Sequence, residues 1–163
     1  MQLYHDKDAD LKVLDGKKVA VLGYGAQGRA QALCFHDSGI DVTVGVRKDG
    51  KSWNKAKEDG LKVQEFADAV KDADVVMMLL PDEIQPDIYK DYVLPNLKKG
   101  AALEFAHGFS ITYKLITPPE DIDVIMMAPK SPGDKERDEF VAGFERYVRE
   151  PEYDSEFGAR IYK

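Results

Sequence analysis

Short apolar runs alternate along the chain with longer segments in which apolar residues recur at helical spacing. The runs predict six strands, at residues 18–22, 42–46, 61–63, 75–80, 101–105 and 124–127. The segments between them predict helices at 26–38, 52–59, 66–71 and 83–92. This alternation favours a parallel sheet with right-handed crossovers and helices on both faces. The predicted fold class is therefore α/β, a Rossmann-type doubly wound parallel sheet in a single three-layer αβα domain.

The middle and the end of the chain differ in composition. The near-continuous apolar run at 75–80 indicates a central strand, because helices cover both faces of a central parallel strand. Residues 134–163 carry many charges of both signs with scattered aromatic side chains, which favours a surface helix at 135–149 and a tail. We assign 1–163 to one domain, which suits the length of the chain.

The overall composition narrows the class of protein. With 44% hydrophobic and 33% charged residues the chain is typical of a globular protein, and no apolar run approaches the ~20 residues of a membrane helix. The first residues show no basic segment followed by an apolar one, so we expect no secretory signal. A net charge of −7 argues against nucleic-acid binding. The single cysteine, Cys34, is expected to be a buried helix residue, as in a cytoplasmic protein.

A glycine-rich turn follows the first strand and opens the first helix. Its residues are Gly23, Tyr24, Gly25, Ala26, Gln27 and Gly28. In such a turn the first glycine permits the tight bend, the second lets the backbone approach a diphosphate, and the third lets helix and strand pack closely. The helix N-terminus adds unpaired N–H groups and a positive dipole end. We predict a dinucleotide-binding turn, and the alternative is a glycine turn with a structural role alone.

Cations follow the second strand, where NAD-binding domains usually carry an acidic residue that holds the ribose hydroxyls. Here the chain has Arg47 and Lys48, with Ser52 a few residues further on. A guanidinium presents a planar fork of donors that suits a 2′-phosphate. The segment therefore favours NADP(H) over NAD(H), although Asp49 would repel a phosphate if its side chain pointed inward. The alternative is a solvated loop.

Further segments follow strands and belong at the same edge of the sheet, where open α/β sheets bind ligands. Those expected to border the cofactor after the central strand are Leu80, Pro81, Asp82, Glu83, Ile84 and Gln85. Asp82 and Glu83 also suit a helix N-terminus. His107 follows the next strand, as either a catalytic or a structural histidine. The turn at 129–133 would bring backbone amides near a nicotinamide, and no cluster with metal-ligand spacing is found, so no metal site is predicted.

Taken together, these segments resemble the ketol-acid reductoisomerase family. The matching stretches run in order along most of the chain, at 4–11, 21–28, 44–48, 52–53, 75–85, 100–103, 105–109, 124–126 and 128–130. Several motifs in register are much more specific than the glycine turn alone.

The resemblance implies a reaction and the residues that take part in it. Enzymes of the family convert 2-hydroxy-2-alkyl-3-keto acids such as acetolactate, by alkyl migration and NADPH-dependent reduction, on the route to valine, leucine and isoleucine. Two magnesium ions polarise the substrate oxygens while the nicotinamide supplies hydride. By resemblance, Tyr24 to Gln27, Arg47 and Ser52 hold the cofactor, Asp82 to Gln85 and Gly133 line it, and His107 matches the catalytic histidine.

The chain also departs from the family pattern. Asp49-Gly50 stands where the family often has Gly-Ser, and Ser131 and Asp134 replace a glycine and a histidine of the last motif. The family's metal-binding carboxylates lie on a knotted helical C-terminal domain that is longer than the segment after Gly133. We therefore expect this chain to be an NADP(H)-binding domain. We expect it to have magnesium only if a separate C-terminal domain chain supplies the metal site. A homodimer is a further possible assembly.

Two other functions stay open at this point. One is a non-catalytic nucleotide-binding sensor or interaction module, and the other is a stand-alone dehydrogenase acting on a small carbonyl compound. Whether the chain by itself is an enzyme is not decided by the sequence.

Overall fold

The structure of the protein is a computed structural model that describes residues 11–128 of the 163-residue chain. Six parallel strands form one sheet in the order β3-β2-β1-β4-β5-β6. They are β1 (Lys18–Leu22), β2 (Asp41–Gly45), β3 (Lys62–Gln64), β4 (Val75–Met78), β5 (Ala102–Phe105) and β6 (Asp123–Met126). From β1 the strands continue in chain order to β3 at one edge of the sheet, and from β4 they continue to β6 at the other edge. The direction of the strand order therefore reverses between β1 and β4. This is the switch point at which doubly wound sheets bind ligands.

Helical segments connect the strands and follow a short 3₁₀ turn at Leu11–Leu14. They are α1 (Ala26–Asp37), α2 (Lys51–Glu58), α3 (Phe66–Val70), α4 (Gln85–Ile88) and α5 (Phe109–Thr112). The chain after α4 stays helical through a wider π turn at Tyr89–Val93 and a 3₁₀ turn at Leu94–Asn96.

The sheet separates two apolar clusters. On one face, Val19 and Val21 of β1 pack in a cluster with Leu33 of α1 and Ala56 of α2. On the other face, Ala20 and Leu22 pack with residues of α3 and of the helical segment that follows β4. Because successive side chains of a strand point to opposite faces, one strand supplies both clusters. The predicted doubly wound, three-layer fold is confirmed.

The central strand is shorter than predicted. The apolar run at 75–80 predicts six strand residues, but β4 ends at Met78, and only the Leu79 N–H continues the ladder, donating to the carbonyl of Leu22. The carbonyl oxygen of Leu80 instead accepts a hydrogen bond from the side chain of Gln85. Pro81 then turns the chain away.

The helix predicted at 83–92 is also different. It begins at Gln85 rather than at 83, and only Gln85–Ile88 has α-helical hydrogen bonding before the chain widens into the π turn. Residues 81–84 form a turn in which the Ile84 N–H donates to the carbonyl of Pro81. The other predicted elements within 11–128 agree to within one residue at each end, whereas the helix predicted at 135–149 lies outside the described residues.

Candidate functional site

Two glycines of the first turn are required by packing inside the protein. Gly23 has φ +98°, and a Cβ on it would lie 2.5 Å from the carbonyl oxygen of Leu79. A Cβ on Gly28 would overlap the carbonyl oxygen of Gly23. Any side chain here would push α1 away from β1 and β4, so these glycines set the close approach of helix and strand.

Gly25 is different, because nothing inside the described part of the chain requires a glycine there. Its backbone has φ −77° and ψ −163°, which any residue adopts, and a Cβ on it would meet no atom of residues 11–128 within 4 Å. Gly25 is also the N-cap of α1, and no described side chain caps that helix end. Within the described residues, open space therefore lies beside Gly25 at the N-terminus of α1, where the N–H groups of the first turn lack partners within the helix.

Tyr24 has its hydroxyl tied to the protein rather than exposed at this opening. The side chain is buried, and its hydroxyl donates to Asp59 Oδ2 at 2.8 Å. Arg29 donates to both oxygens of the same carboxylate, from Nε at 2.8 Å and from Nη2 at 2.9 Å. The hydrogen bond from Arg29, and then that from Tyr24, hold the pKa of Asp59 below its usual range. Sequence reasoning missed Arg29 and Asp59, because no spacing links residues so far apart.

The second loop carries the predicted cations. Arg47 and Lys48 follow β2 and are exposed, and Asp49 occupies the left-handed region at φ +57°. Gly50 is the N-cap of α2, and Ser52 lies half-buried in the first turn of that helix. This loop and the glycine turn thus follow neighbouring strands, with Leu22 of β1 paired to Gly45 of β2.

The turn after β4 is organised by Gln85. Its side chain is buried, and Nε2 donates to the carbonyl of Leu80 at 2.8 Å and to Asp82 Oδ1 at 3.2 Å. Ser110 of α5 donates from its hydroxyl to Gln85 Oε1 at 2.8 Å. Both ends of the Gln85 amide are therefore engaged inside the protein. Sequence reasoning did not single out Ser110, for which the sequence carries no signal.

His107 lies beside Asp82, as two neighbouring strand ends require. Its Nε2 is 3.5 Å from Asp82 Oδ2, and its Nδ1 accepts a hydrogen bond from the N–H of Phe109 at 3.2 Å. The imidazole is more than half exposed, at 58%. The structure thus brings together one predicted catalytic residue and one predicted cofactor residue.

A buried carboxyl group in β5 was also missed. Glu104 is 2% exposed, and its Oε1 accepts a hydrogen bond from the N–H of Met127 at 3.1 Å. The only signal in the sequence is one acidic residue inside an apolar strand. This contact ties the end of β6 to β5.

Most of the remaining predicted site residues lie in the turn between β4 and α4. Pro81 and Glu83 are exposed, Leu80 and Ile84 are half-buried, and Gly133 lies outside the described residues. Within residues 11–128 no three His, Cys, Asp or Glu side chains are placed to hold a metal ion. The helices described there are all too short or too polar to cross a bilayer.

Comparison with known proteins identifies the family. The model of the family described as acetohydroxy acid isomeroreductase, NADPH-binding domain, matches residues 13–148. The chain belongs to this family. The resemblance noted from the sequence motifs is therefore confirmed.

Named relatives agree with this family. The chain is 58% identical over 143 residues to "Ketol-acid reductoisomerase (NADP(+))" of Psychrobacter sp. (strain PRwf-1), covering 88% of this chain and 42% of that protein. It is 57% identical to the protein of the same name from Pyrobaculum calidifontis, covering 87% and 43%. A solved NADH-preferring ketol-acid reductoisomerase from an uncultured archaeal source is 52% identical with a TM-score of 0.81, covering 88% and 45%. The chain thus spans less than half the length of these relatives.

Proposed function

We propose that this chain binds NADP(H) as the cofactor half of a ketol-acid reductoisomerase. The single observation that carries the proposal is the open space in front of Gly25, at the N-terminus of α1. Neither backbone conformation nor any described neighbour requires glycine at that position, whereas the close approach of a diphosphate does.

The glycine turn, the loop after β2 and the turns after β4 and β5 form what we call the crevice, and each part has a distinct role in this proposal. Backbone N–H groups from Tyr24 to Gly28 bind the diphosphate, with Gln27 at its rim, whereas the Gly23 N–H already donates to the carbonyl of Gly45. Arg47 and Lys48, with the hydroxyl of Ser52, bind the 2′-phosphate, because charge-assisted donors are the strong partners of phosphate oxygens. The turn at 80–85, together with Gly133, lines the nicotinamide side of the cofactor, where its N–H groups and carbonyls orient the ring.

His107 is the proposed catalytic residue at the nicotinamide end. When bound, NADPH supplies the hydride for the reduction. His107 presents an exposed imidazole at the end of β5, with Asp82 beside it, and such a group moves a proton at Nε2.

The reaction in full also requires magnesium, and we propose that the metal-binding carboxylates lie outside the described residues. A separate C-terminal domain chain would bring them to the crevice, and a homodimer is a further assembly that we propose for this chain. The pathway proposed for the whole assembly is the biosynthesis of valine, leucine and isoleucine, in the cytoplasm.

The proposal also includes a preference for NADP(H) over NAD(H). Relatives of this chain carry both NADP(+) and NADH in their names, so the family alone does not decide it. The two exposed cations after β2 support the 2′-phosphate.

Titration of the 163-residue chain with NADPH and NADH, followed by nucleotide fluorescence, tests both parts. Saturable binding of NADPH, tighter than that of NADH, is expected. Absence of binding to either would refute the function, and equal affinities would refute the role of the cations. If NADPH binds but magnesium and acetolactate give no turnover even with a C-terminal domain chain added, the sensor or interaction module becomes the better function.

A further inference from the structure

The amide of Gln85 has only one orientation that satisfies its surroundings. The carbonyl oxygens of Leu80, at 2.8 Å, and of Met78, at 3.3 Å, can only accept hydrogen bonds. Nε2 must therefore face them, and Oε1 must face Ser110. The Ser110 hydroxyl is then forced to donate, which it does at 2.8 Å.

This orientation also fixes the carboxylate of Asp82. The same Nε2 lies 3.2 Å from Asp82 Oδ1, and the other carboxylate oxygen, Oδ2, lies 3.5 Å from His107 Nε2. Hydrogen bonds thus run from the fully buried Ser110 through Gln85 to Asp82, whose second carboxylate oxygen lies beside the exposed His107. It joins the turn after β4 to the turn after β5.

The histidine is oriented from its other side by the backbone. Phe109 donates its N–H to Nδ1 at 3.2 Å, so the neutral ring carries its proton on Nε2, which is the nitrogen that faces Asp82. Substitution of Asp82, Gln85 or Ser110 leaves the Phe109 N–H in place as the donor to Nδ1. The Nε2 side depends on where the Asp82 carboxylate is held, and Asp82 is held by Gln85.

We propose that Gln85 and Ser110 are positioning residues that hold the Asp82 carboxylate against His107 and so fix the orientation and tautomer of that imidazole. Neither side chain reaches the crevice, because both are buried and both are engaged by protein groups. Their burial also keeps water from competing for the amide. The significance of this inference rests on the proposed function, in which His107 acts on substrate.

The test uses the chain without cofactor and follows the histidine ring nitrogens by ¹⁵N NMR at alkaline pH, where neutral imidazole predominates. The three histidines are His5, His36 and His107, and the two ring-nitrogen signals that disappear in His107→Gln are those of His107. In the unmodified chain we expect well-separated ring nitrogens for His107, with the proton on Nε2. In Ser110→Ala and Gln85→Met we expect the preference for this tautomer to fall on the order of fivefold, the effect of one lost hydrogen bond.

A double-mutant comparison separates positioning from general loosening of the fold. If Ser110 acts through Asp82, Ser110→Ala changes the His107 signals much less in an Asp82→Asn background than in the unmodified chain. Thr43→Val, which alters another buried polar side chain on β2, should leave the His107 signals unchanged. Equal effects of Ser110→Ala in the two backgrounds, or unchanged signals in both variants, would overturn the proposal.

A measurement on the unmodified chain covers the case in which the variants do not fold. The side-chain amide protons of Gln85 should exchange with solvent much more slowly than those of exposed Asn54. Exchange of Gln85 at the rate of Asn54 would overturn the proposal. Failure of the chain to bind NADPH while these NMR results hold would instead refute the proposed function and leave the positioning intact.

Discussion

The hydroxyl of Tyr24 donates a 2.8 Å hydrogen bond to Asp59 Oδ2, so that the glycine turn is tied to the C-terminal end of α2. Arg29 of α1 holds the same carboxylate with two donors. The helix that begins at the proposed 2′-phosphate loop and the turn proposed to bind the diphosphate are therefore fixed to each other by one carboxylate. The contacts among these three side chains thus set the position of α2 relative to the glycine turn.

Loss of this carboxylate should destabilise the chain. In Asp59→Ala, Tyr24 and Arg29 lose their shared acceptor, and we expect the free energy of unfolding to fall by about 1–2 kcal/mol, a range reduced because Arg29 is partly exposed. Urea denaturation followed by circular dichroism measures this. Asp72→Ala is the matched control, because Asp72 forms a 3.9 Å ion pair in an exposed position and should cost less than about 0.5 kcal/mol. A loss at Asp59 no larger than that at Asp72 would contradict the prediction.

A second carboxylate predicts a dependence of stability on pH. Asp74 accepts from Lys98 Nζ at 2.6 Å and from the backbone N–H of Lys18 at 3.0 Å, and these bonds hold its pKa below the usual range. The unfolded chain therefore binds a proton at this residue at a higher pH than the folded chain does. The stabilisation is complete above the unfolded pKa of about 3.9 and is lost as the pH falls through that value toward the lower folded pKa.

The measurement compares the chain with Asp74→Asn across this range. We expect the difference in unfolding free energy between the two to shrink as the pH falls from about 5 to below about 3. Asp121→Asn, at an exposed position in the loop before β6, is the control for the loss of one carboxylate. A constant difference for Asp74→Asn would show that its hydrogen bonds do not favour the charged form.

Much of the fold follows from the sequence because the apolar runs of parallel strands are nearly continuous. The boundaries of β1 and β5 and the αL residue Gly60 after α2 need only local pattern and turn chemistry. The early end of β4 does not, since it depends on a glutamine side chain that replaces a strand as the partner of a backbone carbonyl. Such a tertiary contact has no signature in a run of apolar residues.

The candidate site divides in the same way. The glycine turn, the cations after β2 and His107 could be located because each follows a predicted strand. No sequence pattern connects Ser110 with Asp82, or Asp59 with Tyr24, because these contacts depend on how elements pack. The half-buried state of Cys34, where burial was expected, likewise depends on which side of α1 faces the sheet.

Filling the space in front of Gly25 should abolish nucleotide binding without unfolding the chain. In Gly25→Leu the side chain occupies the proposed diphosphate position, while the backbone at φ −77° accepts it without strain. We expect the Kd for NADPH to rise at least about 100-fold, close to 3 kcal/mol, with the melting temperature nearly unchanged. Thr117→Leu, at an exposed position in the loop leading to β6, is the control that should leave the Kd unaltered. Unchanged affinity in Gly25→Leu would remove the basis of the proposed function.

Removal of the cations after β2 should weaken the binding of NADPH much more than that of NADH. Arg47 and Lys48 are exposed, so their replacement by alanine costs the fold little. We expect each change to weaken NADPH by about tenfold and NADH by less than about twofold, because only NADPH has the 2′-phosphate and a lost charge-assisted bond is worth about 1.4 kcal/mol. The effect should decrease at high ionic strength, since the cations lie in solvent. Lys62→Ala, an exposed lysine on β3, serves as the control for net charge. Equal weakening of NADPH and NADH in Arg47→Ala would mean that the guanidinium contacts a part common to both nucleotides, and the preference for NADP(H) would then need another source in the chain.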